Sequence, residues 1–328
     1  MVAAVDINPA VFPNAVACGL PLEKCYTDLR KALEENEADF ITIVTPPHFH
    51  EQAIDLAIAF GCDIVCEKPY AESMESCCRI YRKVKDAGRK MLVTMSHQMS
   101  QDKKTLETLL KSGQYGGVNY LMGRLAMTRR RTNHKESYRP GHNTGARGVL
   151  SEAAIHQMDI LRVMSGANVK TVYARAWNPS WFQAGENTTF ASCLVDMTME
   201  NGVQAVCEQS FVNAALLNEW GQDYIRAECD KATLILDNRK IEMRCDLSGE
   251  PVREEIPLMH TQPDIWSHEL LLNQFIDWLE GGAEPECSIE DNLQCVALVY
   301  AADESVRTGM PVEVQPFLRR HLEAAGIK

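Results

Sequence analysis

Three short stretches carry side chains whose types and spacing are suited to chemistry. Asp6 closes the apolar run at residues 2–5, just ahead of the turn signal Asn8-Pro9. In a dinucleotide-binding βαβ unit a carboxylate at this kind of strand end holds the ribose hydroxyls, and Asp6 sits where that acid would sit, although an Asp closing a strand is common in any α/β protein. The segment Thr45-Pro46-Pro47-His48-Phe49-His50 follows the run FITIV, and Glu67-Lys68-Pro69 follows DIVC. Ligands of a doubly wound sheet bind beyond the carboxyl ends of its strands, so both segments stand where a ligand would be met. A lysine between an acid and a proline is held in place, while for any one lysine a surface ion pair is the simpler reading. Farther along, Glu152 and His156 lie one helical turn apart on a shared face, so the carboxylate can orient the imidazole or contact a ligand hydroxyl.

The elements around these residues alternate. An amphipathic stretch from Thr27 to about Glu35 precedes FITIV at 40–44, a helix follows TPPHFH, DIVC occupies 63–66, a helix runs from near Ser73 to Gly88, and MLVTM begins at Met91. Continuous apolar strands alternating with helices indicate a parallel sheet covered on both faces, a Rossmann-like doubly wound domain over residues 1–98. A helix, TLETLLKSG, with Gly113 as its C-cap then leads to strand-like residues from Val118 to Arg129. After a polar, Gly-rich loop and the helix GVLSEAAIHQMDILRVM come TVYARAW, ASCLVDMTM, VQAVCEQSF, YIRAEC, ATLIL and KIEMRC. Their alternation and turn signals predict an open, mainly antiparallel sheet. Helices at 266–280 and 289–307 complete an α+β domain over residues 99–328.

Composition bounds the function. A formal net charge of −12 argues against a nucleic-acid partner, and Arg129-Arg130-Arg131 is too short for a basic patch. No apolar run approaches the ~18 residues that cross a bilayer, so no membrane partner is expected and the cytoplasm is the expected location. The 12 cysteines are spread thinly, with no C-x-x-C pair, and read as reduced and mostly buried. No metal is expected, because Glu152 with His142 or His97 supplies too few ligands.

Taken together, TPPHFH after one strand, EKP after the next and the later EAAIHQMD helix resemble the glucose-fructose oxidoreductase and inositol dehydrogenase family, Gfo/Idh/MocA. The likeness runs over nearly the whole chain, with VAAVDINP as second strand, KSGQYGGV leading into the second domain and GMPVEV near the end. It implies an NAD-dependent oxidoreductase that moves a hydride between the nicotinamide and a secondary hydroxyl of a sugar, inositol or glycoside. By the same resemblance Lys68 lies between the nicotinamide ribose and the substrate, and His156 is the catalytic histidine. Thr45, Pro46, His50 and Glu67 flank the cofactor, and Asp159 is a further acid on the substrate side.

The chemistry wants these residue types. Oxidising a secondary alcohol removes a proton from oxygen, which a histidine can take, and a lysine ammonium stabilises the negative charge that develops there. Two positions depart from the family: Glu152 stands where an Asp is usual, and Gln98 where an arginine is common. The loop Tyr138-Arg139-Pro140-Gly141-His142 precedes the catalytic helix, and Tyr138, Arg139 and His142 offer polar groups to a polyol. Asp6 favours NAD over NADP, because a carboxylate repels a 2′-phosphate.

The chain opens without the first strand and the glycine-rich turn of such a domain. If the family order holds, that strand is the central one, between VAAVD and FITIV, and without it two inner edges stand unpaired. The expectation is a truncated N-terminus, with Met1 an internal methionine and about 30 residues, one βα unit, upstream. A relative that lost turnover and serves as a sugar-sensing or regulatory binding protein is the alternative: the missing turn fits it, and Lys68 and His156 oppose it. An apolar face of the antiparallel sheet left uncovered by helices predicts a homo-oligomer, dimer or tetramer.

Overall fold

Short parallel strands build the first part of the chain. The computed structural model describes residues 1–128, 148–182 and 190–327. Strand β1 (Ala4–Val5) pairs with β2 (Cys25–Tyr26), and β3 (Phe40–Ile43), β4 (Asp63–Cys66) and β5 (Met91–Val93) form a second parallel sheet in the order β3-β4-β5. Helices α1 (Phe12–Ala17), α2 (Leu29–Glu34), α3 (His50–Ala59) and α4 (Met74–Asp86) connect them. Ile64, Val65 and Cys66 are all buried, as expected for a strand covered on both faces. Helix α4 starts at Ser73, whose hydroxyl accepts the Ser76 N–H at 3.1 Å, and it buries Cys77, Cys78, Ile80 and Val84. Among the described residues β1 and β3 do not pair with each other, so the parallel sheet stands in two pieces at the place where the sequence expects an inner strand.

The second part is one large sheet. Helix α5 (Gln101–Lys111) leads into β6 (Val118–Ala126), followed by β7 (Val169–Trp177), β8 (Ser192–Met199), β9 (Gln204–Ser210), β10 (Tyr224–Cys229), β11 (Thr233–Asp237), β12 (Lys240–Cys245), β13 (Val252–Ile256) and β14 (Val312–Glu313). Their order is β13-β12-β11-β10-β6-β9-β8-β7-β14. Every neighbouring pair is antiparallel except β6–β9, which is parallel. One face is apolar through Leu121, Leu125, Val172, Val195, Ala205, Ile225 and Leu234, all buried, with α5 over β11, α6 (Ile155–Ser165) over β6 and β9, and α8 (Ile289–Thr308) over β7. The other face carries Tyr120, Met122, Tyr173, Leu194, Val206 and Ile235 half-buried.

Helix α6 carries the candidate base, and its seat depends on one glycine. At Gly123 of β6 a Cβ would meet Gln157 Oε1 of α6 at 2.9 Å and Leu161 Cδ1 at 3.3 Å, so a larger residue would displace the ends of these two side chains. The last elements return to the parallel part. Val93 N–H donates to Cys287 O at 2.9 Å, Tyr300 of α8 donates to Ala71 O at 3.0 Å, and α9 (Val314–Ala324) packs on α4. Helix α7 (His268–Leu279) sets Phe275 edge-on to Phe40 of β3 at 5.4 Å. Helix α8 contacts β5 and α4 on one side and β7 and α6 on the other, and so sets the spacing between the strand ends and α6.

Candidate active site

The carboxyl ends of β1, β3 and β4 present different chemistry. At the end of β1, Asp6 is exposed. Its N–H donates to Tyr26 O at 3.1 Å and its carboxylate accepts the Asn8 N–H at 2.8 Å. After β3, Thr45 is exposed and Pro46 half-buried, whereas His50 is fully buried. His50 Nε2 lies 2.6 Å from Thr45 O, and a carbonyl only accepts, so Nε2 carries the proton. Nδ1 is then an acceptor facing Cys66 Sγ at 3.4 Å, and burial pushes the Cys66 thiol pKa up, so that sulfur stays protonated. His50 therefore ties the Thr45-Pro46 turn to the end of β4 from beneath, and it is the turn above it that faces outward.

After β4, Glu67 accepts the Lys68 N–H at 3.2 Å and Lys68 reaches across to the second part of the molecule. Its ammonium donates to the Glu152 carbonyl at 2.7 Å. Loss of hydration lowers the Lys68 pKa below the ordinary lysine range, against the pull of Glu152 and Glu67. Glu152 lies in a single π-helical turn, Leu150–Ala154, that precedes α6, an irregularity frequent at functional sites. Lys68 thus meets the backbone of Glu152, a contact the sequence does not suggest, and the π turn replaces the regular helical start that the sequence predicts.

His156 opens α6 and is 4% exposed. Among the described residues its Nδ1, buried, meets no hydrogen-bond partner, and neither does Nδ1 of His97. The two imidazoles stack, 4.1 Å between centroids and 11° between planes. Burial lowers the His156 pKa well below the usual histidine value, and the nearby ammonium groups of Lys68 and Lys103 add to the effect. Burial likewise holds His97 down, to about 4, against the opposing Asp223. Both rings are neutral near pH 7.

Sequence reasoning reached His97 only as a possible metal ligand and did not find Trp220, Lys103 or Asp223. His97 follows β5, so the strand-end rule that singled out Lys68 also reaches it. Trp220 lies in a loop and Lys103 on a helix, and neither has a local signal. Gln98 donates to Cys287 Sγ and is buried, so it does not stand in for an arginine facing a ligand. Asp159 is 1% exposed, and one of its oxygens accepts from Arg162 at 3.0 and 2.9 Å, while Arg162 also reaches Asp291 at 2.7 Å. The structure brings Asp159 into this ion-pair cluster. Tyr138, Arg139 and His142, like Arg129–Arg131, lie outside the described residues. Among the described residues no group of three or more His, Cys, Asp or Glu side chains is arranged to hold a metal ion, and no helix is long and apolar enough to cross a membrane. All twelve cysteines are free.

The donor set fits a dinucleotide. An exposed carboxylate, a Thr-Pro turn with Thr45 exposed and a lysine occupy the carboxyl ends of β1, β3 and β4, and ligands of parallel sheets lie at such ends. A model of the oxidoreductase family with an NAD-binding Rossmann fold matches residues 1–95, and the C-terminal domain model of the same family matches residues 104–235. The chain belongs to the Gfo/Idh/MocA oxidoreductase family. It is 38% identical to an uncharacterized protein of Sinorhizobium fredii over 94% of this chain and 86% of that one. Its identity to a D-apiose dehydrogenase of Rhizobium rhizogenes is 24%, over 90% of this chain and 85% of the relative. An oxidoreductase from Agrobacterium radiobacter, solved in complex with NAD+, L-tartaric acid and magnesium, shares the fold with a TM-score of 0.78 at 20% identity, over 96% of this chain and 91% of that one. As a Gfo/Idh/MocA oxidoreductase, the chain has both expected parts: a parallel Rossmann-like sheet followed by a mainly antiparallel one.

Proposed function

We propose that this oxidoreductase transfers a hydride between NAD and a secondary hydroxyl of a sugar, inositol or glycoside, with Lys68 and His156 at the reacting carbon. The observation that carries the reading is the meeting of Lys68 Nζ with the Glu152 carbonyl, one turn ahead of an imidazole whose buried Nδ1 has no partner among the described residues. The nicotinamide, when bound, supplies the hydride acceptor for oxidation and the donor for the reverse. Asp6, Thr45, Pro46, Glu67 and Lys68 would hold it, with His50 bracing the turn. Neutral His156 is able to take the hydroxyl proton. Lys68, anchored on Glu152 and with ammonium donors to spare, stabilises the charge developing on the same oxygen.

Glu152 carries a side chain one methylene longer than the aspartate usual in the family, which bears on which hydroxyl pattern is accepted. D-apiose and L-tartaric acid, the molecules named for the two relatives above, both carry neighbouring hydroxyls, in keeping with a polyhydroxylated substrate. Tyr138, Arg139 and His142 remain candidates for binding it, and Asp159 acts on the site through α6. The exposed Asp6 carboxylate favours NAD, since it would repel a 2′-phosphate.

The reading is tested by titrating NAD+ and NADP+ against the protein and following reduced nicotinamide with myo-inositol, D-apiose and L-tartrate. Binding of NAD+ in preference to NADP+, with turnover of a polyol, is expected; a protein that binds neither coenzyme sinks the proposal. The half-buried apolar residues on the open sheet face support a homo-oligomer, dimer or tetramer, and a monomer mass in light scattering at micromolar concentration would remove that part. Twelve free cysteines favour a reducing compartment, the cytoplasm.

A further inference from the structure

Trp220 belongs to the loop between β9 and β10 and is 44% exposed, yet it is fixed against the most buried part of the site. Its ring centroid lies 4.8 Å from His97 and 6.0 Å from His156, with interplanar angles of 74° and 85°. An indole capping the free face of His97 would lie much farther from His156, because the two imidazoles are themselves 4.1 Å apart. The indole therefore stands beside the stack, flanking both rings.

What holds it there is charged and buried. Lys103 of α5 is 1% exposed and Asp223 is fully buried, and they form an ion pair at 2.8 Å. Lys103 also donates to Gly221 O at 3.2 Å, one residue beyond Trp220, and Gln157, next to His156, donates to Asp223 at 2.9 Å. On the other side of Trp220, Asn218 is buried. Its side-chain oxygen accepts the Ala126 N–H at 3.3 Å and its amide donates to Gln222 O at 3.1 Å. A buried ion pair is weak evidence for stability, because desolvation offsets its attraction. It is better evidence for a fixed geometry, and here that geometry joins the helix before the sheet, the loop with Trp220 and the helix with His156.

We propose that Trp220 is the aromatic wall of the site beside His156, and that the buried Lys103–Asp223 pair is the device that positions it. The wall covers one flank of the His97–His156 stack and offers an apolar ring to the C–H surface of a polyhydroxylated ring. Pockets for small molecules combine such apolar walls with a few directed polar groups. This inference rests on the proposed reaction for the nature of its ligand, and on the geometry alone for the shielding of the imidazoles.

The experiment compares wild type with Trp220→Ala, Trp220→Phe and the double variant Lys103→Met/Asp223→Leu, which removes both charges of the pair together, although the buried Asp102, 3.7 Å from Lys103, then loses its cation and the variant's folding is checked by circular dichroism. Carbethoxylation of His97 and His156 by diethyl pyrocarbonate at pH 7, read by mass spectrometry, should be severalfold faster in Trp220→Ala. The same should hold in the double variant, whose Trp220 is intact, while Trp220→Phe stays close to wild type. With whichever of myo-inositol, D-apiose or L-tartrate the wild type oxidises, Trp220→Ala should raise KM by about three- to tenfold with a smaller change in kcat, and Phe should restore most of it. Unchanged modification rates in Trp220→Ala overturn the wall, and unchanged rates in the folded double variant overturn the positioning role. If the wild type oxidises none of the polyols, the proposed reaction falls, while the modification rates still decide this inference.

Discussion

His50 and His156 are both buried histidines beside the ends of parallel strands, and they differ in what their nitrogens have to do. His50 has Thr45 O at 2.6 Å from Nε2 and Cys66 Sγ at 3.4 Å from Nδ1. His156 has a buried Nδ1 with no partner among the described residues and stacks on His97, whose Nδ1 is in the same state. Buried polar groups are nearly always hydrogen-bonded, so two neighbouring exceptions call for an explanation, and a site waiting for a ligand supplies one. Residue type and burial do not separate a bracing histidine from a reacting one. Unsatisfied hydrogen-bonding capacity among the described residues, next to a lysine that crosses from the other half of the molecule, is what makes His156 the candidate.

The comparison can be broken at either end, and the largest effect belongs to the reacting side. Lys68→Met keeps the length of the side chain and removes the charge, so turnover should fall by about 10²–10³-fold with the melting temperature little changed. In the wild type the activity carried by the Lys68 ammonium should be present at neutral pH and decline as pH rises, earlier than an ordinary lysine would allow, because its pKa is lowered. A Lys68→Met enzyme with wild-type turnover would remove Lys68 from the mechanism. On the bracing side, His50→Ala leaves the Thr45 carbonyl unpaired and opens a cavity, and should cost about 2–4 kcal/mol in denaturant unfolding.

Acid is a third way in. The folded-state pKa of His97 is about 4, below its unfolded value of 6.5, so the folded protein binds fewer protons in between. Its contribution to stability is therefore present above about pH 6.5 and is lost as pH falls towards 4, by about 3 kcal/mol at the limit. His156 shifts in the same direction. Melting curves of wild type and His97→Asn between pH 7 and 5 test this, and parallel curves would contradict it. The smallest effect concerns the seat of α6. Gly123→Ala must displace Gln157, which donates to Asp223, and should destabilise by about 1–3 kcal/mol in a urea titration. An alanine variant as stable as wild type would show that α6 has slack there.

Much of this was legible in the chain because the signals are local. FITIV and DIVC are adjacent parallel strands, DIVC buried from Ile64 to Cys66 and FITIV buried only at Ile43, and their ends led to Lys68 without any knowledge of what it touches. The alternating runs from TVYARAW to KIEMRC became strands of one sheet, but alternation carries no direction, so the parallel β6–β9 pair was not foreseen. Strand β13 reads VREEI and is charged where strands are usually apolar, which hid it. Helix α9 was missed although Val314, Phe317 and Leu318 are spaced for one buried face. The Lys103–Asp223 pair joins residues far apart in sequence with no spacing rule between them, and only the folded chain reveals it. Asp159 shows the converse: its position on α6 was legible, but its engagement with Arg162 was not.

The most direct test sets the two histidines side by side. We would measure kcat for NAD+-dependent polyol oxidation, per folded molecule, in His156→Ala and His50→Ala. The account predicts a loss of about 10² or more in His156→Ala with stability largely kept, and near wild-type kcat in the destabilised His50→Ala. Equal losses in both, or full turnover without His156, would contradict the division of roles between the two rings.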